Sequence, residues 1–182
     1  MITIDLGTDE YYDGSINQFV YDEGGVVDFE YSLKVIYEWE AKWKKPFLKG
    51  DLTDEETIDF YSMMALQPVK KQFLMKDEVF EKLAKYIADS NTATTFTSAE
   101  ELQNGNNSFS KGKIYTAEEL YALMFMNHVP LEFETRNFNR LLTVLRIIGN
   151  YNAPKKKMSK QDIYKQNAEL NRQRKEQLKS KG

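Results

Sequence analysis

The stretch VVDFEYSLKVIYEWEAKWKKPF, residues 26–47, decides the fold class, because the spacing of its apolar residues changes partway along it. Its first four residues form a β-prone run. From Tyr31 to Lys45 the apolar residues recur three or four positions apart, which is the pattern of a broad helical face. These residues are Leu33, Val35, Ile36, Tyr37, Trp39 and Trp43. Pro46 ends the helix, since proline disfavours helical geometry in the preceding residue. A strand followed by an amphipathic helix predicts an α+β fold.

The residues before this stretch predict a small β element. Residues 2–6 alternate between apolar and polar side chains, which is the period of a half-buried strand. Phe19–Tyr21 and Val26–Phe29 flank the sequence Asp-Glu-Gly-Gly, and paired glycines accept the positive φ values of a tight turn. We therefore predict a hairpin that turns at these glycines.

The residues after Pro46 predict a series of helices. Thr53 with Glu56, and Thr116 with Glu119, have the spacing of a capping box. In this motif, at the start of a helix, the side chain of each residue accepts a hydrogen bond from the backbone amide of the other. The predicted helices span residues 54–66, 77–89, 116–127 and 137–149.

The helix predicted at 137–149 is the most apolar, so we expect Leu141, Leu145 and Ile148 at the centre of the core. Gly149 and Asn150 are expected to cap its end. Short strands are also predicted at residues 91–98 and 113–115, with a surface loop at 103–108 between them.

Charge is distributed unevenly along the 182 residues. Residues 154–182 hold ten basic and three acidic residues, a net charge of +7, and the whole chain is −3, which leaves −10 for residues 1–153. Eight acids and no Lys or Arg lie in residues 1–30. Because Pro154 marks the change, we predict an α+β body (1–153) and a basic helical C-terminal tail (154–182). The body would contain the β element and four to five packed helices, and the tail helix would project from it.

Several classes of chemistry are excluded or disfavoured by composition. The absence of cysteine excludes disulfides, thiolate metal sites and a cysteine nucleophile. His128, the only histidine, lies at a predicted helix end, where a structural role is expected. The acids between Asp51 and Glu56 suit the positive end of a helix dipole better than a metal site. With no nucleotide-binding glycine motif either, we predict a protein that is not an enzyme and needs no cofactor or metal.

No apolar run approaches the roughly 18 residues that a membrane span requires. The first residues lack the basic and apolar regions of a signal peptide. We therefore expect a soluble protein with no membrane partner.

Two groups of residues are candidates for binding another protein. Trp39, Trp43 and Phe47 form an aromatic helix end that either packs in the core or anchors a partner. The second group consists of the tail bases Lys155, Lys156, Lys157, Arg172, Arg174 and Lys175. The tail can be a solvated solubilising segment, a nucleic-acid contact, or a helix that becomes ordered on docking to a protein. Nucleic acid is disfavoured because Tyr164 is the only aromatic residue of the tail.

Three parts of the sequence resemble a known class of viral proteins. These are Glu38–Leu48 followed by Thr53–Glu56, then Phe138–Arg146, and finally Lys156–Lys160 with Asn167–Asn171. Together they are similar to small proteins from the tail-morphogenesis region of long-tailed bacteriophages, of the kind called tail assembly chaperones. The resemblance spans most of residues 30–182.

The resemblance implies a non-enzymatic role in the host cytoplasm. Tail assembly chaperones bind the tape measure protein, keep its long helices soluble and help tail-tube proteins to polymerise around it. Self-association is a further contact that the sequence leaves open. The first alternative is a structural component of the virion, in the neck or tail, and the second is a nucleic-acid-binding module that uses the basic tail.

Overall fold

The structure is a computed structural model that describes residues 1–96, 114–152 and 160–178. It has the predicted α+β class, and the chain divides into two compact units, Met1–Tyr151 and Asn152–Gly182. The strands are β1 (Ile2–Asp5), β2 (Thr8–Asp13), β3 (Gln18–Glu23) and β4 (Val26–Phe29). The helices are α1 (Leu33–Trp43), α2 (Asp54–Met64), α3 (Lys71–Leu74), α4 (Asp77–Ala88), α5 (Ala117–Met126), α6 (Phe138–Asn152) and α7 (Lys160–Leu178). Within these described residues, two 3₁₀ turns lie at Phe47–Lys49 and Leu131–Thr135.

The β element is one interrupted hairpin. β2 pairs antiparallel with β3, and β1 pairs antiparallel with β4. The turn lies at residues 14–17, where the Asp13 carboxylate accepts hydrogen bonds from the Ser15 amide at 2.8 Å and the Ser15 hydroxyl at 2.6 Å. The hairpin predicted between residues 19–21 and 26–29 is therefore wrong, since β3 and β4 follow one another on the same arm.

The paired glycines lie between the two ladders rather than in a turn. The Gly24 amide donates to the Gly7 carbonyl at 2.8 Å, and the Leu6 amide donates to the Gly25 carbonyl at 2.9 Å. A Cβ on Gly24 would lie 2.5 Å from the Leu6 Cβ and 2.9 Å from the Phe73 ring, so only glycine fits there. Glycine is required at Gly24 by close packing, whereas Gly25 has the positive φ, 64°, that was expected of the pair.

The helix starts follow the sequence prediction, but some ends do not. Both capping boxes form, and Ser32 caps α1 by accepting a hydrogen bond from the Val35 amide. α2 stops at Met64, because the next residues continue as an extended segment beside β4, where the Leu66 amide donates to the Asp28 carbonyl at 2.8 Å. α6 runs on to Asn152, so Gly149 and Asn150 are not caps.

Two further differences concern short elements. The single-turn helix α3 was not predicted, because its four residues are too few for a helical period. Residues 91–96 and 114–115 are not strands, and the remainder of both predicted strands, with the loop at 103–108, lies outside the described residues.

The core of the first unit is rich in aromatic side chains. Tyr31 packs edge-on against Phe138 at 5.3 Å and Phe60 at 6.0 Å between ring centroids. From α6, Leu141 and Leu145 are buried as expected, but Ile148 is only half-buried. The centre of the core includes α1, which buries Leu33, Ile36 and Trp39.

Candidate functional site

The aromatic residues proposed as partner anchors belong to the packed interior. Trp39 has 0% of its surface exposed, and its indole N–H donates to the Glu56 carbonyl at 3.0 Å. Phe47 is buried and stacks on Phe60 with ring centroids 4.1 Å apart. Burial favours the core-packing alternative for these two residues, because side chains that are 0% and 8% exposed offer almost no surface to a partner while this fold is intact. Trp43 is half-buried, and its role in binding stays a prediction.

Asp59 on α2 fixes the outer end of α1. Its carboxylate accepts hydrogen bonds from Lys42 Nζ at 2.6 Å, the Trp43 indole N–H at 3.1 Å and Lys71 Nζ at 3.1 Å. Burial of this carboxylate favours its neutral form, but the three donors outweigh burial and hold the pKa of Asp59 below its ordinary value. The charged group therefore joins α1, α2 and the start of α3.

The tail candidates are placed only in part. Lys155, Lys156 and Lys157 lie outside the described residues. Arg172 and Arg174 are exposed on α7, where Arg172 pairs with Glu169 at 3.0 Å, and Lys175 lies in the same helix. Their role in binding remains a prediction.

The described part of the first unit contains an open groove between α1, α5 and the second 3₁₀ turn. Its volume is about 580 Å³. We call this the α1–α5 groove, and its lining residues are Lys34, Tyr37, Glu38, Glu118, Tyr121, Ala122, Phe125, Leu131 and Glu134. A volume of this size lies within the roughly 300–1,000 Å³ of binding pockets and accommodates a few side chains.

The floor of the groove is aromatic. Tyr121 packs edge-on against Tyr37 at 5.5 Å and stacks beside Phe125 at 6.4 Å. The apolar surface is left open, because Phe125 is 60% exposed and Leu131 is 50% exposed. An exposed apolar patch with a polar rim is typical of a protein-binding surface.

The rim of the groove carries an excess of acid. Glu38, Glu118 and Glu134 line it against one base, Lys34. The Tyr121 hydroxyl donates to Glu134 Oε2 at 2.8 Å. Burial, and after it this hydrogen bond to a carboxylate, raises the pKa of Tyr121. The groove therefore suits an apolar segment flanked by basic side chains.

A buried carboxylate holds the two walls together. Glu40 on α1 accepts hydrogen bonds from the Phe47 amide at 2.8 Å and from the Ala117 amide, the first residue of α5, at 2.7 Å. Burial raises the pKa of Glu40 above its ordinary value, although both amides favour the charged form. Because Ala117 begins α5, Glu40 sets the position of α5 against α1.

The remaining sequence candidates lie at helix ends. Glu56 accepts hydrogen bonds from the Thr53 amide and Lys45 Nζ, both at 2.7 Å, as part of the capping box. His128 follows α5 in a left-handed conformation with φ of 54°, and its amide donates to the Phe125 carbonyl at 3.2 Å. Within residues 1–96, 114–152 and 160–178, no group of His, Asp or Glu side chains could hold a metal ion.

Sequence reasoning predicted a helix at 116–127 but did not identify the groove beside it. One sequence signal of an exposed apolar surface was available, since large apolar residues point to several sides of α5. They are Leu120, Tyr121, Leu123, Met124, Phe125 and Met126. A helix that packs against the core on one side cannot bury every side, so some of these residues must face outward.

Comparison with known proteins adds no relative. No family model, no curated protein and no solved structure matches this chain. Across the part of the chain that the structure describes, no helix is both long enough and apolar enough to cross a membrane.

Proposed function

We propose that this chain is a non-enzymatic assembly protein of a bacteriophage tail, which binds an amphipathic helix of the tape measure protein in the α1–α5 groove. The observation that carries the binding role is the open aromatic floor with its acidic rim. The assignment to phage tails rests on the resemblance of Glu38–Leu48 and Phe138–Arg146 to tail-morphogenesis proteins.

A helix suits the groove because its apolar side chains recur at i, i+3, i+4 and i+7 and can enter a groove along one face. Burying the exposed parts of Phe125 and Leu131 would contribute about 1–2 kcal/mol each, since full burial of such a side chain gives roughly 1.5–3 kcal/mol. Glu38 and Glu118 at the rim would favour lysines or arginines on the bound helix and disfavour acidic ones. The proposed partner is therefore a basic amphipathic segment.

This binding explains how an acidic protein could keep a long helical protein soluble. Covering the apolar faces of the tape measure helices removes the surface that would otherwise drive aggregation. The net charge of −10 on residues 1–153 would then surround the complex and oppose further association. Release to the tail-tube protein would take place in the host cytoplasm.

The test is co-expression with the tape measure protein of the same phage. We expect the wild-type chain to raise the soluble fraction of that protein and to co-purify with it. Phe125→Ser should weaken this binding about 5- to 30-fold, the equivalent of about 1–2 kcal/mol. Met126→Ser is the matched control, because Met126 is 76% exposed on the same helix but does not line the groove. Equal loss with both variants, or no effect of either, would contradict the proposed site.

Mass spectrometry of purified virions separates this function from that of a structural virion component. An assembly protein should be absent from the particle or far below the copy number of structural proteins. A fixed copy number in mature virions would instead support a neck or tail component.

A further inference from the structure

The hairpin formed by β2 and β3 has one face without a described partner in the first unit. In the register of this ladder, Thr8 lies opposite Glu23, Glu10 opposite Tyr21 and Tyr12 opposite Phe19. All six side chains are exposed, and we call them the outer hairpin face. Phe19 is 65% exposed and Tyr21 is 69% exposed, so this face carries an exposed aromatic patch.

The opposite face of the hairpin is attached to the helices. Asp22 forms an ion pair with Lys70 and accepts a hydrogen bond from Gln72 Nε2 at 3.2 Å. Lys76 Nζ donates to the Thr8 carbonyl at 2.9 Å. These contacts hold β2 and β3 from one side and leave the outer hairpin face open.

The rings of the outer hairpin face are already arranged. Tyr12 and Phe19 pack edge to face at 5.3 Å, and the Tyr12 hydroxyl donates to the Asn17 side chain. A hydrogen bond with Glu10 raises the pKa of Tyr21. Aromatic faces attract Lys and Arg, and the neighbouring carboxylates of Glu10 and Glu23 strengthen that attraction. The chemistry of this face selects a basic segment.

We propose that the outer hairpin face binds the basic C-terminal segment, residues 154–182, of a second copy of this chain. Charge complementarity favours this pairing, since that segment is +7 and residues 1–30 carry eight acids with no Lys or Arg. Arg172 and Arg174 are exposed on α7. A contact between one end of a copy and the other end of the next is heterologous, so it builds closed rings, of which a dimer with exchanged tails is the smallest, or open chains.

The inference is independent of the proposed function, because the hairpin residues do not line the α1–α5 groove. The test is sedimentation velocity of the full chain over a range of concentrations, at about 50 mM and about 500 mM salt, where screening differs strongly. We expect the mean mass to rise with concentration at low salt and to fall toward the monomer at high salt. A monomer at all concentrations, whether or not salt changes its shape, would overturn the proposal, since a tail that folds back on its own copy gives that result.

Charge reversal identifies the two surfaces. Glu10→Lys with Glu23→Lys, and Arg172→Glu with Arg174→Glu, should each weaken self-association at least tenfold, whereas an equal mixture of the two double variants should associate again. Glu81→Lys with Glu132→Lys makes the same charge change at exposed positions elsewhere and should leave self-association unchanged. If this control weakens association equally, or the mixture stays monomeric, the proposal fails.

A second pair of substitutions separates a specific face from general charge attraction. Phe19→Ser with Tyr21→Ser keeps every charge and should weaken self-association about fivefold or more, through loss of ring contacts. These side chains are exposed, so a circular dichroism spectrum and thermal midpoint like those of the wild type are expected. Unchanged association in this variant would overturn the assignment to the outer hairpin face.

Discussion

Replacing Asp59 by Asn tests the network that fixes α1 against α2 and α3. Asn has nearly the same shape, and its single carbonyl oxygen can still accept the Trp43 indole N–H. The change removes the negative charge that Lys42 and Lys71 approach at 2.6 and 3.1 Å. It also replaces the charged acceptor of the hydrogen bond from the Trp43 indole N–H by a neutral one.

The magnitude follows from these contacts. Both lysine side chains are about half exposed, at 50% and 57%, so solvent screening limits each ion pair to about 0.2–1 kcal/mol. The indole bond falls from about 1.5–3 kcal/mol for a charged acceptor to about 0.5–1.5 kcal/mol for a neutral one. We therefore expect Asp59→Asn to lower the free energy of unfolding by about 1.5–3 kcal/mol at pH 7.

The sign of the pH dependence is fixed by the lowered pKa of Asp59. As the pH falls, Asp59 takes up a proton at a higher pH in the unfolded state than in the folded state. The stabilisation by Asp59 is therefore fully present above its pKa in the unfolded state and is lost as the pH falls through its pKa in the folded state. The difference between wild type and Asp59→Asn should therefore shrink as the pH is lowered below about 4.

The assay is urea unfolding of the full chain, followed by circular dichroism, at pH 7 and at several lower values. Glu81→Gln is the control, because it removes one carboxylate from an exposed site on α4 and should change stability by less than about 0.5 kcal/mol. A cost for Asp59→Asn no larger than that of the control, or one that does not depend on pH, would refute this reasoning.

Three further outcomes are expected. Leu145→Ala should lower the free energy of unfolding by about 2–5 kcal/mol in the same assay, because the side chain is 3% exposed, and a cost below about 1 kcal/mol would mean that α6 is not packed as described. Glu40→Ala should lower the free energy of unfolding by about 2–4 kcal/mol, since it leaves the buried amides of Phe47 and Ala117 without an acceptor. Hydrogen exchange at the Ala117 amide should accelerate, and an unchanged exchange rate would show that this amide has another acceptor. At near-physiological salt, the full chain should bind duplex and single-stranded nucleic acid more weakly than about 1 µM in an anisotropy titration, and tighter binding that is lost on deleting residues 155–182 would favour the nucleic-acid alternative.

The sequence predicted local structure well where a single short pattern decides it. The two capping boxes and the change from period 2 to period 3.6 after Phe29 depend on residues within one turn or strand, and both occur as predicted. The strand pairing depends on contacts between distant residues. The paired glycines resembled a turn, but Gly24 is required by the approach of Leu6 and Phe73, which no local pattern records.

The candidate site was less predictable for a related reason. Trp39 and Phe125 both look like residues that pack or bind, and only the tertiary arrangement distinguishes them, because α1 is covered on the Trp39 side while α5 is open at Phe125. Glu40 gave no signal either, as its role depends on an amide 77 positions away. The charge contrast between residues 1–30 and 154–182, in comparison, can be read directly from the sequence.

Site-specific photo-crosslinking determines whether the tape measure protein lies in the α1–α5 groove. A photoreactive phenylalanine analogue is placed at position 125, 126 or 131 of the full chain, which is then co-expressed with the tape measure protein and irradiated. Crosslinks from positions 125 and 131 to one amphipathic, Lys- or Arg-flanked helix, with few or none from 126, are the expected result. Equal crosslinking from all three positions, or crosslinking from 126 alone, would contradict the proposal that the α1–α5 groove holds the tape measure protein.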